Sequence, residues 1–347
     1  MDIILQVVSD EKFIGAIFST ISIILLGYYL RKSGKVSENA PKALTAVLMN
    51  VALPALAFRA FMADIGPETF TTGLNTFIFG FIAYALLIAF SYIYLIKYRG
   101  EKLDAIRGLT IFGSTTFFGI PIISAFLGAE GTLYANLFNI AYRVFLYSYG
   151  FILFSGLKLE KKNLKQIIVN PIVICTFFGF LIWIFQGSLP QITIGAGEAA
   201  WTGTIFRLDH TMPWLMRAVG YLANLSSPLA WLAIGMTLAQ IPLKAATKDK
   251  DVWVYSAVKL VLMPAAILLV MIIFKSIGFL PLNYLAITGI VIMLATPPAT
   301  VAVGYAINFD KEALFSSNAS LVSTVLAVIA IISWLFILTA LSGAGII

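Results

Sequence analysis

Charged and metal-binding side chains are scarce in this chain of 347 residues. Only 11% of the residues are charged, whereas an ordinary soluble domain carries about 25%. A single histidine, His210, excludes a histidine-cluster metal site, and a single cysteine, Cys175, excludes a disulfide within the chain. Apolar residues make up 60% of the sequence and the mean hydropathy is +0.96, which indicates a polytopic membrane protein.

Apolar segments long enough to cross a bilayer as a helix, about 20 residues each, recur along the whole chain. We predict an all-α polytopic membrane protein with ten transmembrane helices and no soluble domain between them. The gap from 187 to 212 predicts a loop or a short interfacial helix. The predicted spans are Phe13–Leu30, Ala43–Met62, Phe70–Ile96, Ala105–Leu127, Thr132–Gly156, Ile167–Gln186, Pro213–Ala239, Val252–Phe274, Tyr284–Phe309 and Ala313–Leu341.

The fourth and ninth spans are not expected to stay helical throughout. The fourth contains GSTTFFGIPIISAFLG (113–128), in which Pro121 removes a backbone donor and Gly113 and Gly119 lower helix propensity. The ninth contains ATPPATVAVG (295–304), in which Pro297 and Pro298 interrupt the apolar run. Two interrupted spans at matching positions in two halves of a chain point to a transporter binding site.

The chain divides into two halves of five predicted spans, residues 1–156 and 157–347. Pro54 in NVALPALAFRAF resembles Pro228 in NLSSPLAWLAIG, and Pro121 of the fourth span corresponds to Pro297 and Pro298 of the ninth. Because each half has an odd number of spans, the halves insert with opposite orientation. We therefore predict an inverted repeat.

Lysine and arginine are distributed unequally between the two sides of the predicted bundle. Only Lys12, Arg207 and Lys275 lie in the even-numbered connections or at the amino terminus. By the positive-inside rule, the odd-numbered connections are cytoplasmic and both termini lie outside the cell membrane. The excess of basic residues then reflects membrane orientation and not binding of nucleic acid. The residues counted as cytoplasmic are Arg31, Lys32, Lys35, Lys42, Lys97, Arg99, Lys102, Arg107, Lys158, Lys161, Lys162, Lys165, Lys244, Lys248, Lys250 and Lys311.

A helix broken in mid-membrane exposes the amino-terminal end of its second half. Unpaired N–H groups and the helix dipole favour negative charge there. We predict two such ends, near 118–122 and 298–301, that face each other and bind an anion. The alternative is that the prolines only kink two packed helices, while the hydroxyls bond back to their own carbonyls. The hydroxyl partners in the predicted site are Ser114, Thr115, Thr116, Thr296 and Thr300.

Arg143 is predicted to lie deep in the membrane. It follows Glu130 by 13 residues, which places it about 20 Å along the fifth span, close to mid-bilayer. No carboxylate falls in the middle of any predicted span, so its partner is a substrate carboxylate, or helix carbonyls near the crossover, or it clamps helix ends together. Asn139, one turn earlier on the same face, either lines the same cavity or holds helices together. Lys259 and Arg59 are near enough to span ends to snorkel to the interface.

Several stretches, in their order along the chain, resemble the auxin efflux carrier family, whose bacterial members are often labelled malate or malonate permeases. The resemblance implies ten helices in two inverted repeats, broken fourth and ninth helices that cross, carriage of organic anions, and commonly a homodimer. The chain departs from the family pattern at Ser114 and Val301, where many members carry asparagine. The stretches are LLGYYLRKSGKVSENAPKALTAVLMNVALPALAF (25–58), FFGIPIISAFLGAEG (117–131), SPLAWLAIGMTLA (227–239) and TPPATVAVGYA (296–306), followed by LVSTVLAVIAIISWLF.

The resulting hypothesis is a secondary transporter of small organic anions, mono- or dicarboxylates such as malate, with no catalytic residue, metal or cofactor. Coupling, if present, uses sodium held by unwound carbonyls, a proton carried by the substrate acid, or the membrane potential alone. A membrane-embedded enzyme and a transporter-like ligand sensor are the alternatives, although no HExxH or Asp-rich metal motif is present. The predicted substrate-binding residues are Ser114, Thr115, Thr116, Gly119, Pro121, Asn139, Arg143, Thr296, Pro297, Pro298 and Thr300.

Overall fold

The computed structural model describes residues 11–62, 66–94, 97–156, 169–196, 200–240 and 247–347. Most of these residues are helical, because a helix satisfies all of its internal backbone groups within an apolar solvent. The helices are α1 (Glu11–Lys32), α2 (Ala40–Ala60), α3 (Pro67–Tyr94), α4 (Gly100–Ile111), α5 (Thr115–Ser155), α6 (Pro171–Phe185), α7 (Leu208–Thr211), α8 (Pro213–Asn224), α9 (Ser226–Leu238), α10 (Lys250–Ser276), α11 (Tyr284–Leu294), α12 (Thr300–Asn308) and α13 (Ala313–Gly343).

The architecture is that of a helical membrane protein. Among the described residues, α2, α3, α5, α10 and α13 are long and apolar enough to cross a membrane, and α6 and α11 are shorter apolar helices. The predicted seventh span consists of two helices, α8 and α9, that meet at Leu225. Five of the lysines counted as cytoplasmic lie outside the described residues, namely Lys158, Lys161, Lys162, Lys165 and Lys244.

The described residues are mostly helical, as predicted, but the stretch between α6 and α8 contains two short strands. This stretch, predicted to be a loop or a short interfacial helix, forms an antiparallel hairpin of β1 (Gln191–Ile194) and β2 (Trp201–Thr204), followed by the short helix α7. Isoleucine, threonine and tryptophan favour strands. In the hairpin Gln191 pairs with Thr204 and Ile194 pairs with Trp201.

Helix α5 is interrupted where the predicted fourth and fifth spans are joined. Gly128 has φ 64° and ψ −153°, a conformation that is open to glycine and strained for other residues. The helix therefore consists of two pieces, and the chain changes direction between them. The first piece begins with a π-helical turn, Thr115–Gly119, directly before the helical stretch that contains Pro121.

Proline also widens the helix before it in two other places. The π-helical turn Leu48–Ala52 precedes Pro54 in α2, and the π-helical turn Val258–Leu262 precedes Pro264 in α10. A proline supplies no N–H to the carbonyl four residues earlier, so the helix accommodates it by changing its hydrogen-bond pattern. The turn in α10 rotates the side chains that follow Ala257, among them Lys259.

Helices α1 and α9 pack through glycine. A Cβ atom at Gly235 would lie 1.9 Å from the carbonyl oxygen of Ile24, and one at Gly27 would lie 2.4 Å from that of Leu232. Glycine at such contacts lets two backbones approach closely, which favours the van der Waals packing that contributes to helix association in lipid. Helix α1 belongs to the first predicted half of the chain and α9 to the second, so this contact packs the backbones of the two halves closely against each other.

The amino-terminal ends of α4 and α10 are joined by polar contacts. The Tyr98 hydroxyl donates to Asp251 over 3.0 Å, and the Lys102 ammonium forms an ion pair with the same carboxylate. Burial, together with the hydrogen bond to Asp251, raises the pKa of Tyr98 to about 12. These contacts fix the start of α4 against α10, and the carboxyl end of α4 leads directly into the candidate site.

Candidate functional site

Two extended segments cross at the centre of the molecule. One links α4 to α5 and the other links α11 to α12. The backbone N–H of Ser114 donates to the carbonyl oxygen of Pro297 over 2.7 Å, and that of Ala299 donates to Phe112 over 2.9 Å. Gly113 and Pro298 form the antiparallel pair between these bonds. The predicted fourth and ninth spans are thus interrupted, not merely kinked, and their interruptions bind each other.

The helix after the first interruption begins earlier than predicted. It starts at Thr115, and the N–H of Phe118 already donates to the carbonyl oxygen of Ser114 over 2.8 Å. The free first-turn N–H groups are therefore those of 115–117 and not those of 118–122. Pro121 lies beyond the break, inside α5, where its carbonyl accepts a bond from Ser227.

The second interruption is close to its predicted position. Helix α12 begins at Thr300, and the first bond in its ladder runs from the N–H of Val303 to the carbonyl oxygen of Ala299 over 3.0 Å. The first turn of α12 therefore presents the N–H groups of 300–302. Thr300 is exposed, at the edge of the site.

Asn139 holds the first turn of α5 in place. Its side-chain oxygen accepts a bond from the Thr115 hydroxyl over 2.7 Å, and its side-chain nitrogen donates to the Thr116 hydroxyl over 2.8 Å. Asn139 and Thr115 are fully buried. The structure therefore brings three of the predicted residues together, two from one piece of α5 and one from the other.

Four other predicted residues present no polar side-chain group to the cavity. The Thr296 hydroxyl bonds back to the carbonyl oxygen of Met293 over 2.7 Å, which is the alternative considered for the hydroxyls of the broken spans. Gly119 packs against Met293 and Thr296. The carbonyl oxygen of Pro297 accepts the bond from the N–H of Ser114, and Pro298 pairs with Gly113 in the crossover. These residues shape the crossover and do not line the cavity beside it.

A cavity of about 70 Å³ lies against the crossover, between α5, α6 and α12. Its wall includes the first turns of both helices that follow the interruptions, with Arg143 beside them. Among the described residues that line it, none is acidic. The lining residues are Met49, Ser114, Thr116, Phe117, Tyr142, Arg143, Leu146, Tyr147, Asn170, Ile172, Val173, Ala299, Thr300 and Val301.

Arg143 is buried, with only 9% of its surface exposed. Its Nη1 donates to the hydroxyl of Thr176 on α6 over 2.8 Å, and its Nη2 has no hydrogen-bond partner among the described residues. Among the described residues, the hydrogen-bond partner of Arg143 is thus a hydroxyl, and neither a protein carboxylate nor a helix carbonyl. A buried guanidinium with a free donor is unfavourable unless an acceptor reaches it, so this arrangement fits an anion that binds from the cavity.

The sequence of the chain matches a family model described as membrane transport protein, over residues 12–335. The chain belongs to this family of membrane transport proteins. An uncharacterized transporter of Methanothermobacter thermautotrophicus is 24% identical over 335 residues, which cover 93% of this chain and 97% of the relative. An uncharacterized transporter of Methanocaldococcus jannaschii is 22% identical over 228 residues, which cover 64% of this chain and 68% of the relative.

Sequence reasoning missed several residues that line the cavity of this transporter. Tyr142 and Tyr147 flank Arg143 on α5, and Asn170 contributes from the start of α6. The side-chain oxygen of Asn170 accepts a bond from the N–H of Ile172 over 2.9 Å and so caps α6. Its signal in the sequence was an asparagine followed by Pro171 at the start of an apolar run, which is typical of a helix start.

The prediction that Lys259 snorkels to the membrane interface is wrong. Only 1% of its surface is exposed, and its Nζ donates to the carbonyl oxygen of Thr110 over 2.9 Å. The π-helical turn of α10 contains Lys259 and directs it towards the carboxyl end of α4. Arg59, by contrast, is exposed, and it donates to the side-chain oxygen of Asn224 over 3.0 Å.

Proposed function

We propose that the protein is a secondary transporter of small organic anions across the cytoplasmic membrane. The observation that carries this proposal is the meeting of two helix amino termini and a buried, incompletely paired arginine in one cavity. Helix amino termini and guanidinium groups both favour a carboxylate, the termini through aligned N–H dipoles and arginine through two parallel donors. Membership of the membrane transport protein family supports transport as the activity.

The proposal extends to the topology of the chain. We infer ten membrane spans in two inverted repeats, residues 1–156 and 157–347, that cross at the segments before α5 and α12. Alternating access then moves one group of helices against the other around a fixed crossover. The contact between the two interruptions supports this arrangement, as does the division of the predicted fourth and ninth spans at equivalent places.

The proposed substrates are mono- or dicarboxylates such as malate, carried by a homodimer whose termini lie outside the cell. The Nη2 of Arg143, the Thr116 hydroxyl and the first-turn N–H groups of α5 and α12 are the proposed ligands of the carboxylate oxygens. The unequal distribution of lysine and arginine supports the orientation.

The test is uptake of radiolabelled malate and a panel of related mono- and dicarboxylates into proteoliposomes under imposed sodium, proton and voltage gradients. We expect saturable uptake by wild type and a fall in kcat/KM of about 10- to 150-fold in Arg143→Ala. This range corresponds to the loss of a charged hydrogen bond, about 1.5–3 kcal/mol.

Thr176→Val is the matched control, because it removes the hydroxyl partner of Arg143 and keeps the arginine. If Arg143 binds substrate, Thr176→Val retains most of the uptake. Equal losses in both variants would mean that Arg143 only clamps α5 to α6. The absence of uptake of any acid by folded wild-type protein, under every gradient, would refute the proposed function.

A further inference from the structure

The Lys259 ammonium lies at the crossover itself. A Cβ atom placed on Gly113 would be 2.9 Å from Lys259 Nζ and 2.5 Å from the Thr296 hydroxyl. Since Gly113 is the middle residue of the first extended segment, the ammonium lies against the first interruption, next to its pairing with the second. It is on the side of the carboxyl end of α4, whereas the cavity is next to the amino end of α5.

The carboxyl end of a broken helix presents carbonyl oxygens without intrahelical donors. At the carboxyl end of α4 and in the residue after it, three carbonyl oxygens accept hydrogen bonds from other parts of the chain. Leu109 accepts a bond from the Tyr255 hydroxyl, Thr110 accepts one from Lys259, and Phe112 accepts one from the N–H of Ala299. Such carbonyls, with the negative end of the helix dipole, are where transporters with broken helices hold a coupling cation. In this chain the side chain of Lys259 places a positive charge there.

No carboxylate neutralises this charge within the part of the chain that the structure describes. Helix α13 packs against the turn that carries Lys259, and its sequence has no titratable residue. The titratable residues on the other packed elements are Glu101, Lys102, Asp104 and Arg107 on α4 and Lys250, Asp251, Tyr255 and Lys275 on α10. Lys102 is paired with Asp251, and the Arg107 guanidinium lies over the ring of Tyr92 at 4.2 Å from its centroid.

We infer that Lys259 is the proton-binding site of the transporter, and that anion transport is coupled to protons and independent of sodium. This inference rests on the proposed function. When the crossover opens to water on the releasing side, one N–H bond of the ammonium breaks. The electron pair stays on Nζ, and the proton passes to water. Reprotonation on the other side restores the ammonium before the next anion binds.

Proton binding and anion binding are linked because the ammonium of Lys259 and the bound anion lie close together, on either side of the extended segment 112–114. Ser114, the neighbour of Gly113, lines the cavity, so an anion there lies within roughly 10 Å of Lys259 Nζ, given about 3.5 Å per residue of extended chain. At this separation a buried pair of opposite charges changes anion affinity by about tenfold. The protonated transporter therefore binds the anion more tightly, and binding of the anion retains the proton.

The experiment compares wild type, Lys259→Met and Lys259→Arg in two assays with the same proteoliposomes. The first is uptake of the best carboxylate of the malate panel, driven by an imposed pH gradient without sodium. The second is exchange of labelled for unlabelled carboxylate at equal pH on both sides, which requires binding and movement but no net proton transfer. Thermal unfolding of each variant shows whether it is folded.

Wild type is expected to concentrate the anion when the outside is acidic, with no effect of replacing sodium by potassium. Lys259→Met is expected to retain exchange, with KM raised about tenfold and independent of pH. Lys259→Arg keeps a permanent charge, so it is expected to exchange with wild-type KM and to lose accumulation driven by the pH gradient. A direct measurement is proton uptake by detergent-solubilised wild type on addition of carboxylate, which Lys259→Met and Lys259→Arg should lack.

The two hypotheses fail in different ways. If folded wild type exchanges no carboxylate, the proposed function is wrong. If wild type exchanges carboxylate, but accumulation needs sodium or persists in Lys259→Arg with its pH dependence unchanged, the assignment of Lys259 is wrong and the proposed function stands.

Discussion

Asn139 determines how the first turn of α5 faces the cavity. Its two hydrogen bonds to Thr115 and Thr116 link this turn to the second piece of α5. We expect Asn139→Ala to lower the free energy of unfolding by about 1–3 kcal/mol, because the buried Thr115 hydroxyl loses its acceptor. We also expect Kd for the carboxylate to rise about tenfold, since the binding turn is no longer held in position. Thermal unfolding and ligand titration measure the two effects.

Asn136 is a matched control for Asn139. It lies one turn earlier on the same helix and is equally buried, but its side-chain nitrogen donates to the carbonyl oxygen of Thr132 within that helix. Asn136→Ala is expected to change stability without changing carboxylate affinity. Similar changes in Kd for both variants would contradict the assignment of Asn139 to the site.

The sequence indicated which polar side chains matter and how far along their helices they lie, but not the direction in which each side chain points. Arg143 was predicted to lie deep in the membrane from a count of residues along its helix, and in the structure its side chain is buried among the helices. Lys259 was misplaced because a π-helical turn changes the rotation of the residues within it. Thr176, the partner of Arg143, comes from another helix, so only tertiary packing reveals it.

At the level of helices, the contact between α1 and α9 depends on the absence of side chains. We expect Gly27→Ala to destabilise the protein by about 1–3 kcal/mol, because its Cβ would lie 2.4 Å from the carbonyl oxygen of Leu232 and the helices would have to separate. Gly15→Ala on the same helix is the control, since nothing lies within 4 Å of its Cβ position. It should leave the unfolding temperature unchanged or raise it slightly. Equal destabilisation by both would mean that the effect is local to α1.

The positions of the helices were largely predictable, whereas their interruptions were predictable only in part. Glycine, proline and threonine located the two breaks to within about two turns, since each lowers helix stability. The first break still lies at 112–114, before the proline that suggested it, because the chain extends where it pairs with Pro297 and Ala299. The hairpin of β1 and β2 was missed because each strand has four residues, too few for a clear alternation of apolar and polar side chains.

The whole molecule is held together by contacts between its two predicted halves. Segments 112–114 and 297–299 bind each other through backbone hydrogen bonds, α1 packs on α9, and Asp251 binds Tyr98 and Lys102. Antiparallel pairing of the two extended segments is what two units inserted in opposite directions would give. In such an arrangement the first connection and the sixth, which have opposite parity, lie on opposite sides of the membrane.

Membrane-impermeant maleimide labelling tests this orientation, because Cys175 is the only cysteine in the chain. In a Cys175→Ser background, Ser33→Cys marks the exposed connection between α1 and α2, and Ser188→Cys marks the exposed connection between α6 and β1. In intact cells of the expression host, we expect Ser188→Cys to be labelled and Ser33→Cys to react only after permeabilisation, because the first connection is rich in basic residues. The reverse pattern would place the termini in the cytoplasm, and labelling of both sites would mean that the chain inserts in two orientations. Either result would remove the charge argument for topology and leave the crossover contacts as its support.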